Sequence, residues 1–134
     1  MATQLAQPQS WEGIKFGPRR LAHGNFFVRD VDASLDFYQR VCGLTLVFRE
    51  PGIHTVFLSN GNSHHDVALM GISAEARVGR DGQVQVPRGR GSAPGLNHLG
   101  FEMATEAQLV AAYRRAAAAG LPLHRTADHQ IAHS

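Results

Sequence analysis

The sequence predicts an α+β fold built from paired βαβββ modules, the second incomplete, and three observations carry that expectation. Leu21-Ala22-His23-Gly24-Asn25-Phe26 returns as Leu96-Asn97-His98-Leu99-Gly100-Phe101, and the same 75-residue offset carries Tyr38 onto Tyr113 and Arg40 onto Arg115. Matches in one register mark a repeated structural unit. The first copy reads strand, helix, strand, strand, strand. In the second copy an opening strand and a helix lead to Gly120, after which only fourteen residues remain, room for one extended segment.

Residues 1–19 are polar with scattered apolar positions and form an arm whose Trp11 and Phe16 are expected to pack back on the body. Residues 20–73 form the first module. Its opening strand, 21–28, alternates so that Leu21, His23, Asn25 and Phe27 share one face and Ala22, Gly24, Phe26 and Val28 the other. A helix over residues 31–42 follows, capped by Asp30 or Asp32, with Val31, Leu35, Tyr38 and Cys42 as its apolar stripe, Asp36 and Arg40 four apart, and Gly43 as its stop. Strands are expected at 44–48, 53–58 and 65–70, separated by turns at Pro51-Gly52 and Asn60-Gly61-Asn62.

Residues 74–95, rich in Gly, Arg and Pro, read as a mobile excursion with one short alternating piece at 83–86. The second module spans 96–134. Leu99, Phe101 and Met103 are expected to face its helix, which opens on the capping-box pattern Thr105-Glu106-Ala107-Gln108 and buries Leu109, Tyr113 and Ala116. Pro122 has no N–H for a ladder, so residues 121–125 begin a strand at its edge or first position.

Composition bounds the function. A chain of 134 residues is one domain's worth, able to bury roughly two thirds of its unfolded surface. The single cysteine, Cys42, excludes an internal disulfide and fits a reducing, cytoplasmic setting. No apolar run approaches the roughly 20 residues of a bilayer span, so no membrane partner is expected. The formal charge is only +2, and Arg77, Arg80, Arg88 and Arg90 lie in a Gly-rich stretch without aromatics on which bases could stack, so these arginines read as solvated and nucleic acid is set aside.

The chemistry centres on histidine. His23 and His98 occupy equivalent points of the two opening strands, on the faces opposite Phe26 and Phe101, and so look toward the open side of a curved sheet. Two imidazoles at repeat-related positions suggest a metal cup, which one carboxylate would complete while leaving positions for substrate and oxygen. Glu102 shares the face of His98, but four residues along a strand is about 13 Å, too far for one ion. Asp66 should face away from His65, and Asp128 belongs to a connecting turn. In 61–69 adjacent strand residues face opposite ways, so only one of His64 and His65 can look into the cup; a histidine there suits proton transfer or fills a polar gap in the sheet. Asp128-His129 and His133-Ser134 are open between a site role and a frayed end.

Over residues 20–134 these motifs resemble the vicinal oxygen chelate superfamily of paired βαβββ modules, which includes glyoxalase I, bleomycin-resistance proteins and extradiol ring-cleavage dioxygenases. The His64-His65-Asp66-Val67-Ala68-Leu69 stretch, Asn97-His98 and Asp128-His129 resemble the extradiol branch most. That resemblance implies His23 and His98 as ligands of Fe(II), alternatively Mn(II), His65 as acid–base catalyst with His64 turned away, and His129 as a contact to dioxygen or substrate. It implies a catechol-type diol and O₂ as substrates, and the strand edges left unpaired in the second module lead to the expectation of a homodimer. It also places a tyrosine and the glutamate ligand beyond Ser134, so residues 1–134 alone are expected to bind iron weakly and to show little activity until that strand is restored. Two other branches remain open: a bleomycin-resistance-like binder that holds an apolar ligand without catalysis, and a glyoxalase-like isomerase, which would prefer a carboxylate in the place of His65.

Overall fold

The computed structural model describes residues 15–123. These fall into two compact units, one of residues 22–100 and one of residues 15–21 with 101–123. In chain order the elements are β1 (Arg20–Val28), α1 (Val31–Arg40), β2 (Thr45–Glu50), a 3-10 turn (Pro51–Ile53), β3 (Thr55–Ser59), β4 (Val67–Gly71), β5 (Arg77–Val78), β6 (Val84–Val86), β7 (Gly95–Glu102) and α2 (Glu106–Ala118).

In the larger unit five strands form one sheet in the order β2-β3-β4-β1-β7, and β5 and β6 pair separately. β1 and β4 run parallel with Asn25 opposite Ala68 and Phe27 opposite Met70, while β4, β3 and β2 form an antiparallel meander. The register sorts the side chains by face. Val56, Leu58 and Leu69 meet Val31 and Leu35 of α1, with Phe26, Val28, Tyr38, Leu44, Leu46 and Val67 around them. Leu58 and Leu69 are fully enclosed, each worth about 1.5–3 kcal/mol of transfer free energy. On the opposite face Phe27, Ile53, Met70 and Val86 make a second cluster. This second face also carries His23.

Local chemistry sets the element ends. Asp30, not Asp32, caps α1, its Oδ1 accepting the Ala33 N–H at 3.0 Å. The helix stops at Arg40, two residues short of Cys42, which is exposed rather than part of the apolar stripe; Gly43 follows in a left-handed conformation (φ 70°). Pro51-Gly52 form a 3-10 turn because Glu50 Oε1 accepts the Gly52 N–H, and this delays β3 to Thr55.

Residues 74–95, expected to be a mobile excursion, contain the β5–β6 hairpin. Val86 is buried against Phe27, and Arg77, expected in solvent, is only 6% exposed. Its guanidinium donates to Ser73 O at 2.7 Å and Gly91 O at 3.3 Å and lies 5.5 Å from the Phe27 ring centre, while Arg80 pairs with the buried Glu50 carboxylate. Backbone carbonyls and an aromatic face satisfy Arg77 and a carboxylate satisfies Arg80, a solution that charge counting along the sequence does not show.

In the smaller unit Thr105 caps α2, its hydroxyl oxygen accepting the Gln108 N–H at 3.1 Å, as the capping-box pattern predicts. The expected buried stripe is mostly uncovered: Ala116 is buried, but Leu109 and Tyr113 are each 48% exposed and Phe101 is 61% exposed. The described part of this unit offers them only short segments, 15–21 and 119–123, and no layer of strands. Leu99 of the larger unit is exposed as well, and residues 121–123 are not a strand. Among the described residues no helix is long and apolar enough to cross a membrane.

Candidate metal and proton-transfer site

Alternation along β1 places His23, Asn25 and Phe27 on the face away from α1, and His98 reaches the same place from β7. Nε2 of His23 and Nε2 of His98 are 3.1 Å apart, with the rings edge-to-face at 5.2 Å between centres. Room for this comes from Gly100, because a Cβ built there would lie 2.2 Å from His23 Cε1. Below the pair, Asn97 Nδ2 donates to Oδ1 of the buried Asn25 at 3.4 Å, and Arg90 donates to Asn97 Oδ1 at 2.7 Å while its guanidinium stands 5.4 Å from the Phe27 ring centre. Arg90, expected to be solvated, thus ties the 74–95 segment to the strand that bears His98.

His65 arrives from the bend before β4, not from the strand itself, which starts at Val67. The bend is held by polar side chains. Ser59 Oγ donates to Ser63 O at 2.7 Å and accepts the Gly61 N–H at 2.9 Å, Asn60 Oδ1 accepts the Asn62 N–H at 3.0 Å, and Asp66 Oδ2 accepts the Asn60 N–H at 2.7 Å. Asp66 is thereby spent on the loop. The His65 ring lies 4.5 Å from that of His23 and 5.0 Å from Phe57, and burial, followed by the neighbouring imidazoles of His23 and His64, lowers its pKa from 6.5 to about 4. At neutral pH His65 is therefore uncharged, able to take up a proton but not to give one.

The expected opposition of His64 and His65 does not arise, since strand alternation does not govern a bend. Nδ1 of His64 and Nδ1 of His65 are 2.8 Å apart, the rings are 5.1 Å apart, and His64 is exposed.

Two nitrogens at about 2.1 Å from one ion with a 3.1 Å edge between them subtend about 95°, a cis pair of an octahedron, so the His23–His98 edge fits a divalent cation. The same distance suits an N–H···N hydrogen bond. Among the described residues no group of three or more His, Cys, Asp or Glu side chains is arranged to hold a metal. Glu102, in the smaller unit, is engaged by Arg20 Nε at 2.8 Å and Arg19 at 3.8 Å, and the Arg20 hydrogen bond holds its carboxyl below the usual range. His129, Asp128 and His133 lie outside the described residues.

Gly100, Asn25 and Arg90 are absent from the set of site residues that the sequence suggested. Only Gly100 carried a signal, since glycine inside a strand marks a close approach.

A family model described as the Glyoxalase/Bleomycin resistance protein/Dioxygenase superfamily matches residues 20–134. Among solved structures, a single-site variant of homoprotocatechuate 2,3-dioxygenase from B. fuscum is similar at 18% identity and a TM-score of 0.60, over 83% of this chain and 26% of that one. The 2,2',3-trihydroxybiphenyl 1,2-dioxygenase from dibenzofuran-degrading Sphingomonas wittichii strain RW1 is similar at 22% identity and a TM-score of 0.55, over 76% of this chain and 31% of that one. The chain thus spans between a quarter and a third of the length of these neighbours, and the likeness is one of fold. No curated protein matches the chain.

Proposed function

The chain belongs to the Glyoxalase/Bleomycin resistance protein/Dioxygenase superfamily, and on that premise we propose that it is the metal- and proton-handling part of an extradiol dioxygenase that opens catechol-type diols with O₂. The observation that carries the reading is the 3.1 Å approach of His23 Nε2 to His98 Nε2 with the His65 ring 4.5 Å from His23. Bound Fe(II), or alternatively Mn(II), supplies a Lewis-acidic, redox-active centre at which a diol and dioxygen meet.

His23 and His98 would hold the ion, and a carboxylate outside the described residues would complete the two-histidine, one-carboxylate set. Gly100 leaves the space that the His23 ring fills. His65, neutral at physiological pH, accepts the proton that a diol hydroxyl gives up, and Phe57 walls its ring from one side. His129, which lies outside the described residues, would contact dioxygen or substrate. The two modules, 20–73 and 96–134, form one functional domain with residues 74–95 between them, in a cytoplasmic homodimer; the single Cys42 suits a reducing compartment, and β7 at the sheet edge offers a surface for a second copy.

A second reading has one observation in its favour. The 3.1 Å His23–His98 approach is also the length of an N–H···N hydrogen bond that needs no ion, so the same face of the sheet suits a bleomycin-resistance-like binder without catalysis. Oxygen uptake separates the two, measured on Fe(II)-loaded protein. One O₂ consumed per catechol opened, lost in His98→Ala, is the expected result. Ligand binding without oxygen uptake, indifferent to His98, overturns ring cleavage.

A further inference from the structure

His64 is the member of the His64-His65 pair that the ring-cleavage reading leaves without a task. It sits in the bend with its ring exposed, yet it is not turned away: its Nδ1 is 2.8 Å from Nδ1 of His65, and both rings stand edge-on to Phe57, at 6.4 Å and 5.0 Å. A hydrogen bond between two Nδ1 atoms needs a proton on one of them and a lone pair on the other. Which nitrogen of an imidazole carries its proton is set by the bond that the other makes.

The direction of this bond decides what His65 can do. A neutral imidazole has one N–H. If His64 donated, His65 would carry its proton on Nε2, at the ring tip, and would have no lone pair there to take a proton from a diol. If His65 donates Nδ1–H to His64, its Nε2 is bare. Uptake then balances: the diol O–H bond breaks, an Nε2–H bond forms, the diol becomes a monoanion and His65 an imidazolium still donating Nδ1–H to His64. The exposed His64 keeps its own proton on Nε2, where water serves as partner. We infer that His64 is a positioning residue that holds His65, through the Nδ1–Nδ1 hydrogen bond, in the tautomer with a bare Nε2.

The inference rests on His65 being the proton acceptor, but its primary test needs no turnover. Long-range ¹H–¹⁵N correlation spectra of the chain labelled on histidine nitrogens report which nitrogen of His65 is protonated at neutral pH. The expected result is a protonated Nδ1 and a bare Nε2. His64→Phe keeps a ring against Phe57 but removes the acceptor, and should shift His65 toward the Nε2–H form; His64→Asn returns an acceptor oxygen near the Nδ1 position and should restore the original pattern. A bare Nδ1 on His65 in the unaltered chain, or a pattern unmoved by His64→Phe, overturns the inference.

In Fe(II)-loaded protein that opens a diol, His64→Phe should lower kcat by about 10- to 100-fold, the usual toll of removing the partner that orients a functional histidine, with KM held and most of the loss recovered in His64→Asn. Loss of kcat without a change in the His65 tautomer overturns the inference and leaves the ring-cleavage reading standing. A locked tautomer in a protein that opens no diol supports the role of His64 and counts against ring cleavage.

Discussion

Replacing Gly100 by alanine isolates the geometry of the metal edge in one methyl group. The backbone at Gly100 has no positive φ, so alanine fits the strand conformation and the effect is steric. Its Cβ would meet His23 Cε1 at 2.2 Å, Nδ1 at 2.6 Å and Nε2 at 2.7 Å, where ordinary contact begins at 3.4 Å. The His23 ring must move by about 1 Å, whereas a metal–nitrogen bond tolerates only about 0.2 Å. Overpacking should cost about 1–3 kcal/mol of stability, and loss of one ligand should weaken divalent-ion binding at least 10- to 100-fold, or about 1.4–2.8 kcal/mol. Calorimetric titration with Mn(II) measures the affinity, and circular dichroism at the same temperature shows that the variant is folded. Leu99→Ala, at an exposed neighbouring position, is the control and should bind as the unaltered chain does. A folded Gly100→Ala variant that binds Mn(II) with unchanged affinity would refute the assignment of His23 as a ligand.

Two further outcomes follow from packing and charge. Leu58→Ala opens a cavity between β3 and α1 at a fully enclosed side chain and should cost about 2–5 kcal/mol in urea unfolding; a loss under 1 kcal/mol contradicts the placement of the core. His65, held at a pKa of about 4 against an ordinary 6.5, stays neutral in the native state while the unfolded chain takes up a proton, so metal-free protein has its full stability above pH 6.5 and loses this contribution as pH falls toward 4. For a fully enclosed ring that drop is worth about 3 kcal/mol, and the partial exposure of His65 reduces it to about 1–2 kcal/mol. The difference between pH 7.5 and pH 4 should shrink by that amount in His65→Asn; an identical loss in both proteins contradicts the depressed value.

Much of this was legible from the sequence because it depends on local rules. The offset linking His23 to His98 found the two strands whose side chains meet, and alternation along 21–28 sorted Phe26 toward α1 and Phe27 to the opposite face. Thr105 and Gln108 marked the start of α2 through a cap that needs only its own turn. What was missed depends on side-chain partners that no periodicity marks. His64 and His65 were placed on a strand that a network of Ser59, Asn60 and Asp66 postpones to Val67, and the alternation argument failed with it. Arg77 and Arg90 read as solvated because their partners, two backbone carbonyls, Asn97 and the Phe27 ring, leave no pattern in the sequence. Leu109 and Tyr113 fit a helical stripe, yet periodicity names a face without supplying what covers it.

The central claim is that His23 and His98 close on one cation with His65 at hand, and paramagnetic broadening of histidine ring signals by substoichiometric Mn(II) tests it even where binding is weak. His54 is the internal control. Its ring lies beside Gly71, four residues along β4 from Val67, or about 13 Å from the end of the sheet that carries His23. The ring protons of His23 and His98 should broaden first and together, those of His65 next, and those of His54 last, with the order abolished in His98→Ala. Broadening of His54 as early as His23, or of His23 without His98, contradicts a shared site.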